Sequence, residues 1–159
     1  FILEGLWVVL GLSLVSAFIG VAIGLVCAFL KKKKIIGTFL SFYIDFFRGT
    51  PVFVQLYFVY FGLPALMGLA VDKWWVSIIV FGLNSGAYLA EIMRAGIEGI
   101  DKGQIEAAKA LGVMQKDIIK DIILPQAIRS ILPAIINEFI ALTKETSVVS
   151  VLGLSLIHI

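Results

Sequence analysis

Five polar side chains stand in stretches that are otherwise apolar: Gln55, Asn84, Glu138, Lys144 and Glu145. An ionisable group inside an apolar segment is costly and marks a solute or ion path by default. For Gln55, Asn84 and the neighbouring Ser85, hydrogen bonding between helices is an equally simple reading. Lys144 and Glu145 can also pair with each other at a segment end. Other chemistry is not legible. No glycine is followed by lysine, so the phosphate-cradling loop of an ATPase is missing from the sequence. No nucleophile–histidine–acid set or metal-ligand spacing is visible. Cys27 is the sole cysteine and His158 the sole histidine.

The composition says what must hold these groups. Of 159 residues, 60% are apolar and 15% charged, and mean hydropathy is +1.06. Soluble domains run at about 45–50% apolar and 25% charged. An ordinary soluble enzyme and a disordered chain are excluded, and a net charge of +2 implies no nucleic-acid partner. Gly5–Leu30 is an uncharged run of 26 residues, Pro51–Val71 one of 21 and Trp74–Ala90 one of 17. A fourth apolar stretch begins at Ser130 and is interrupted by Glu138, Lys144 and Glu145. About 20 apolar residues cross a bilayer as a helix. Basic residues number none before the first run, then 5, 1 and 6 in the successive connections. The positive-inside rule therefore puts the N-terminus outside, Lys31–Lys34 in the cytoplasm, Asp72–Lys73 outside and Glu91–Arg129 in the cytoplasm.

Three further patterns organise the chain. Ile35, Ile36, Phe39, Leu40, Tyr43, Phe46 and Phe47 recur at helical spacing, which predicts a helix at the membrane interface that turns inward at Gly49-Thr50-Pro51. Gly20 and Gly24, and again Gly82 and Gly86, form GxxxG pairs suited to close helix packing. The stretch Glu91–Arg129 holds 12 of the 24 charges. It reads as two short helices. Gln104–Leu111 is stopped by Gly112, and a second helix from near Gln115 ends at Leu124-Pro125. Ile118, Ile119, Ile122 and Ile123 line one face of that second helix and must be covered by something.

Glu106-Ala107-Ala108, three residues, Gly112, nine residues, then Ile122, Leu124 and Pro125 resemble the EAA loop of ABC importer permeases at every fixed position. Phe46-Phe47-Arg48-Gly49-Thr50-Pro51, Gln55-Leu56, Tyr60-Phe61-Gly62-Leu63-Pro64, Gly86-Ala87-Tyr88, Glu91, Arg94-Ala95-Gly96-Ile97 and Leu142-Thr143-Lys144-Glu145-Thr146-Ser147 are similar to the polar amino-acid uptake branch (histidine, arginine, glutamine, cystine). The resemblance spans Phe1 to Gly153.

It implies an all-α fold, a polytopic transmembrane helix bundle of the type I ABC importer permease type, in the bacterial inner membrane. It implies four partners: a separate ATPase that binds ATP and Mg, an external amino-acid-binding protein, a second permease subunit and the lipid bilayer. No cofactor is expected in this chain, which is a transport subunit and not an enzyme. The segment from Glu106 to Gly112 would be the coupling helix seated on the ATPase, anchored by Ile122, Leu124 and Pro125. An amino acid carries a carboxylate and an ammonium group, so its path needs acceptors and donors; Gln55, Asn84, Glu138, Lys144 and Glu145 are the candidates.

A permease for another small solute such as methionine is the nearest alternative. A secondary transporter or a membrane scaffold is a more distant one. The resemblance also implies a chain incomplete at both ends, with about four of five spans in residues 1–153. Residues 154–159, Leu154-Ser155-Leu156-Ile157-His158-Ile159, depart from the family pattern and resemble a non-native tail translated from a sequencing adapter.

Overall fold

The structure, a computed structural model, describes residues 2–30, 34–68 and 70–146. The lysines 31–33 of the first connection and the tail 154–159, with His158, lie outside the described residues. Among those described there are helices and no strands.

The first helix, α1 (Ile2–Leu30), has 29 residues and no charge after Glu4. It contains the run Gly5–Leu30, which at 26 residues is long and apolar enough to cross a membrane. Four further segments follow as α2 (Lys34–Gly49), α3 (Val52–Tyr57), a π-helical turn (Phe58–Gly62) and α4 (Leu63–Met67), the last closed by Gly68. Next comes α5 (Lys73–Glu98), 26 residues and also long and apolar enough to span. Asp72 caps it by accepting hydrogen bonds from the backbone N–H groups of Trp74 and Trp75 at 2.9 and 3.2 Å. The chain then forms α6 (Lys102–Ala110), α7 (Gln115–Asp117), a second π-helical turn (Ile118–Ile123) and α8 (Leu124–Glu145).

The two glycine pairs meet. A Cβ on Gly20 would lie 2.8 Å from Ser85 Oγ, and one on Gly24 would lie 3.2 Å from the Ala90 backbone nitrogen. From the other side, a Cβ on Gly82 or Gly86 would strike Ile19 or Ile23 at 2.9 and 2.8 Å. Residues 20 and 24 thus face 85 and 89, so α1 and α5 run in the same direction, backbone against backbone. The helix α8 runs the opposite way, with Ile131 against Gly96 and Leu142 in a core of Leu12, Leu56, Val76, Val80 and Phe81. These directions are those expected of the first, third and fourth runs.

Three expectations need correction. The helix over 35–47 exists as α2 and the chain turns where expected, but α2 is packed into the bundle rather than standing apart. Tyr43 donates a hydrogen bond to the Leu83 carbonyl at 2.5 Å, and Ile44 packs with Cys27 and Ala90. The C-terminal half of α2 therefore reaches the middle of α5. At Thr50–Pro51 the chain bends by 101°, and the two arms, Ile35–Gly49 and Val52–Met67, together have the length and composition of one span. The uncharged run from Pro51 is therefore the second arm of a bent helix pair that begins with α2.

The helix from Gln115 does not stop at Pro125. A proline ring collides with the carbonyl four residues back and offers no N–H. Here the preceding turn, Ile118–Ile123, widens to a π-helix, and the chain continues into α8 past Pro125 and Pro133. The same device precedes Pro64, where Phe58–Gly62 is π-helical. Finally, α5 continues through Glu98 and α8 starts at Leu124, so the segment between the long helices is shorter than Glu91–Arg129.

Gly24→Leu should separate α1 from α5 and destabilise the chain by about 1–3 kcal/mol, the usual range for overpacking. A fall in thermal stability in detergent checks this; an unchanged melting temperature would show that the seam is not close-packed in solution.

Candidate functional site

The bend at Thr50–Pro51 lies beside Asn84, near the middle of the uncharged run Trp74–Ala90. Pro51 has an extended backbone (φ −61°, ψ 133°), so the carbonyls ending α2 lose their helical partners. Hydrocarbon supplies no replacement, and each unpaired group there costs several kcal/mol. Side chains do supply it. The Thr50 hydroxyl donates to the Phe46 carbonyl at 2.8 Å. The Gln55 amide nitrogen lies 3.0 Å from the Phe47 carbonyl, 3.0 Å from the Thr50 carbonyl and 2.7 Å from Thr50 Oγ1. The Asn84 amide nitrogen donates to Phe47 O at 3.2 Å and to Gln55 Oε1 at 3.3 Å.

Around this break lies a cavity of about 280 Å³, lined by Arg48, Thr50, Pro51, Asn84, Tyr88 and Glu145 among others. The Arg48 guanidinium sits 5.5 Å above the Tyr88 ring centroid, within cation–π range. It also lies 3.9 Å from Glu91, whose carboxylate is shared with Arg94; Arg94 in turn reaches Glu98. Glu138 lies beside Ser85, within electrostatic range of Glu145 and Arg48. One cation and one carboxylate, Arg48 of α2 and Glu145 of α8, thus share the cavity wall at the bend.

Of the five predicted path residues, Asn84 and Glu145 are on the cavity wall and Glu138 is close by. Gln55 is buried behind the wall and bonded to backbone. Lys144 is on the exposed side of α8. Sequence reasoning missed Arg48 and Tyr88. Both stand in stretches that carry the family resemblance, but neither is among the candidate path residues. The place of Arg48 three residues before the proline at the bend was the available signal.

The loop motif occupies one end of the bundle, beyond Glu98. Asp101 caps α6 by accepting from Gly103 N–H at 2.8 Å. At the other end, Gly112 has φ +77°, the left-handed region. Its N–H donates to Lys109 O at 3.0 Å, and Val113 N–H donates to Ala108 O at 3.1 Å, a doubly bonded helix terminus. Ala108 is buried, whereas Glu106, Ala107 and Gly112 are exposed. Leu111 is 83% exposed and Met114 58%. On the following turn Ile118 is buried but Ile119 is half exposed, so the expected isoleucine face is covered only in part. Ile122 is half-buried; Leu124 and Pro125 are exposed at the start of α8. Gln126 donates to Gln104 at 2.7 Å and ties α8 to α6.

A helix bundle with a bent helix pair, a mixed-charge cavity at the bend and an exposed apolar turn defines a membrane transport permease. The pattern of the family described as "binding-protein-dependent transport system inner membrane component" matches residues 20–157, and the chain belongs to this family. It is a permease of the ABC transporter type and a multi-pass inner-membrane protein. Over 160 residues it is 51% identical to the arginine transport system permease protein ArtQ of Bacillus subtilis (strain 168), covering 97% of this chain and 71% of that one. It is 44% identical over 155 residues to a putative glutamine transport system permease protein GlnP of Rickettsia prowazekii (strain Madrid E), covering 96% and 71%. A solved amino acid ABC transporter with histidines superposes with a TM-score of 0.88 at 42% identity, over 96% of this chain and 72% of that one. The inward-facing MetNI methionine ABC transporter shares the fold at 22% identity, with a TM-score of 0.69 over 92% and 72%.

Gly112→Ala should strain the α6 terminus by about 1–2 kcal/mol, the cost of the left-handed region for a residue with a Cβ. Amide exchange at Gly112 and Val113 would then accelerate by about tenfold or more; unchanged protection would contradict the assigned turn.

Proposed function

We propose that this chain is a pore subunit of an ATP-driven importer of polar amino acids. The observation that carries the reading is the cavity at the bend, whose wall holds both Arg48 and Glu145. Arg48 suits a substrate carboxylate, and Glu138 and Glu145 suit an ammonium group or a cationic side chain. The names of the arginine and glutamine relatives support the same substrate class. Methionine carries no polar side chain to use the second carboxylate, which ranks it below arginine.

In this reading an external binding protein delivers the amino acid, and a second permease subunit, identical or homologous, completes the pore. A separate ATPase binds ATP and Mg. The turn from Glu106 to Gly112, with exposed Leu111 and Met114, docks on that ATPase from the cytoplasm, and the N-terminus lies outside. Ile122, Leu124 and Pro125 carry the motion onward, because α6 is tied to α8 and α8 bears Glu138 and Glu145. A rigid element with two positions suffices for such coupling.

In membrane vesicles holding the complete importer, Glu138→Ala should lower arginine uptake by about tenfold, the loss of one charged hydrogen-bonding partner, with assembly intact. Unchanged uptake would remove Glu138 from the path. In the same vesicles Gly112→Asp should leave ATP hydrolysis running while uptake falls; normal uptake with this variant would overturn the coupling assignment.

A further inference from the structure

Gln55 and Asn84 sit where a solute path is expected, yet the amide nitrogens of both are bonded within the protein. All of the Gln55 bonds go to the break: the carbonyls of Phe47 and Thr50, the Thr50 hydroxyl and the Asn84 amide. The Asn84 amide nitrogen is likewise spent on Phe47 O and Gln55 Oε1. Phe47 and Thr50 bracket Arg48 in the chain. Clamping those two carbonyls fixes the stretch of backbone from which Arg48 projects over Tyr88 toward the cavity.

We propose that Gln55 and Asn84 are positioning residues: their amides lock the α2–α3 break at 101° and thereby set where Arg48 meets the transported solute. This rests on the cavity being the solute site. Gln55 itself touches no solute. With the bend clamped, Arg48 lies 3.9 Å from Glu91 and shares the cavity wall with Glu145.

The test uses the complete importer in proteoliposomes, with radiolabelled arginine and glutamine as probes. Gln55→Met keeps the side-chain length and removes the donors and acceptor. It should raise the half-saturating concentration about tenfold. In an Arg48→Ala background it should add less than about twofold, because the two act as one unit. A nitroxide pair at Phe46→Cys and Phe53→Cys, both exposed positions, with Cys27→Ala, reads the bend directly, and Gln55→Met should broaden its distance distribution.

If Arg48→Ala leaves the half-saturating concentration of both probes unchanged, the cavity reading fails. If Arg48→Ala raises it and Gln55→Met does not, positioning alone is overturned. Effects that multiply in the double variant, or an unchanged spin-label distance, also overturn it. Should Gln55→Met not assemble, Asn84→Ser, which shortens the reach to Phe47, takes its place with the same expected outcomes.

Discussion

Hydrocarbon cannot hydrogen-bond a backbone, and the arrangement around Thr50–Pro51 answers that constraint. A helix broken within a membrane frees carbonyls that water would otherwise satisfy. Here the Thr50 hydroxyl and the Gln55 and Asn84 amides close on Phe46, Phe47 and Thr50. The break can therefore persist at depth, and the polar cavity exists because the break does. Broken helices with their ends turned toward a solute are a recurrent solution in transporters.

The clamp needs a fixed wall, and α5 supplies it. Asn84 is held at the right height because α5 is pressed onto α1 through Gly20, Gly24, Gly82 and Gly86, whose missing side chains make room for Ser85, Leu89, Ile19 and Ile23. Apolar burial contributes little to such a contact in lipid; close van der Waals packing does the work. On the opposite side Gly96 admits Ile131, which sets α8 and hence Glu138 and Glu145.

The loop end and the cavity end are joined by continuous helix. The prolines at 64 and 125 would ordinarily stop helices, but each is preceded by a widened π-turn, so the rod survives. For α8 this means that a displacement at the Gly112 turn reaches Glu138 through one element, with no flexible joint at Pro125. The charges Arg48, Glu91, Arg94 and Glu98 form a parallel chain of contacts from the cavity toward the same end of the bundle.

Composition and spacing alone determined the membrane class, the two glycine pairs of the α1–α5 seam and the α6–Gly112 turn, because apolar run length and glycine spacing are local quantities; the permease family came from the resemblance of the loop motif. Of the path candidates, Asn84 and Glu145 lie on the cavity wall. Three things were settled only by tertiary structure. The placement of α2 against α5 brought a helix expected to stand apart into the bundle beside Asn84. The continuation of helix through Pro125 depended on a π-turn that no propensity indicates. Arg48, which stood in a resemblance stretch and not among the path candidates, lines the cavity, and Gln55, a path candidate, is bonded behind it. Sequence counts the polar groups in an apolar run, but which of them must satisfy the backbone and which face a solute depends on where the chain bends in space.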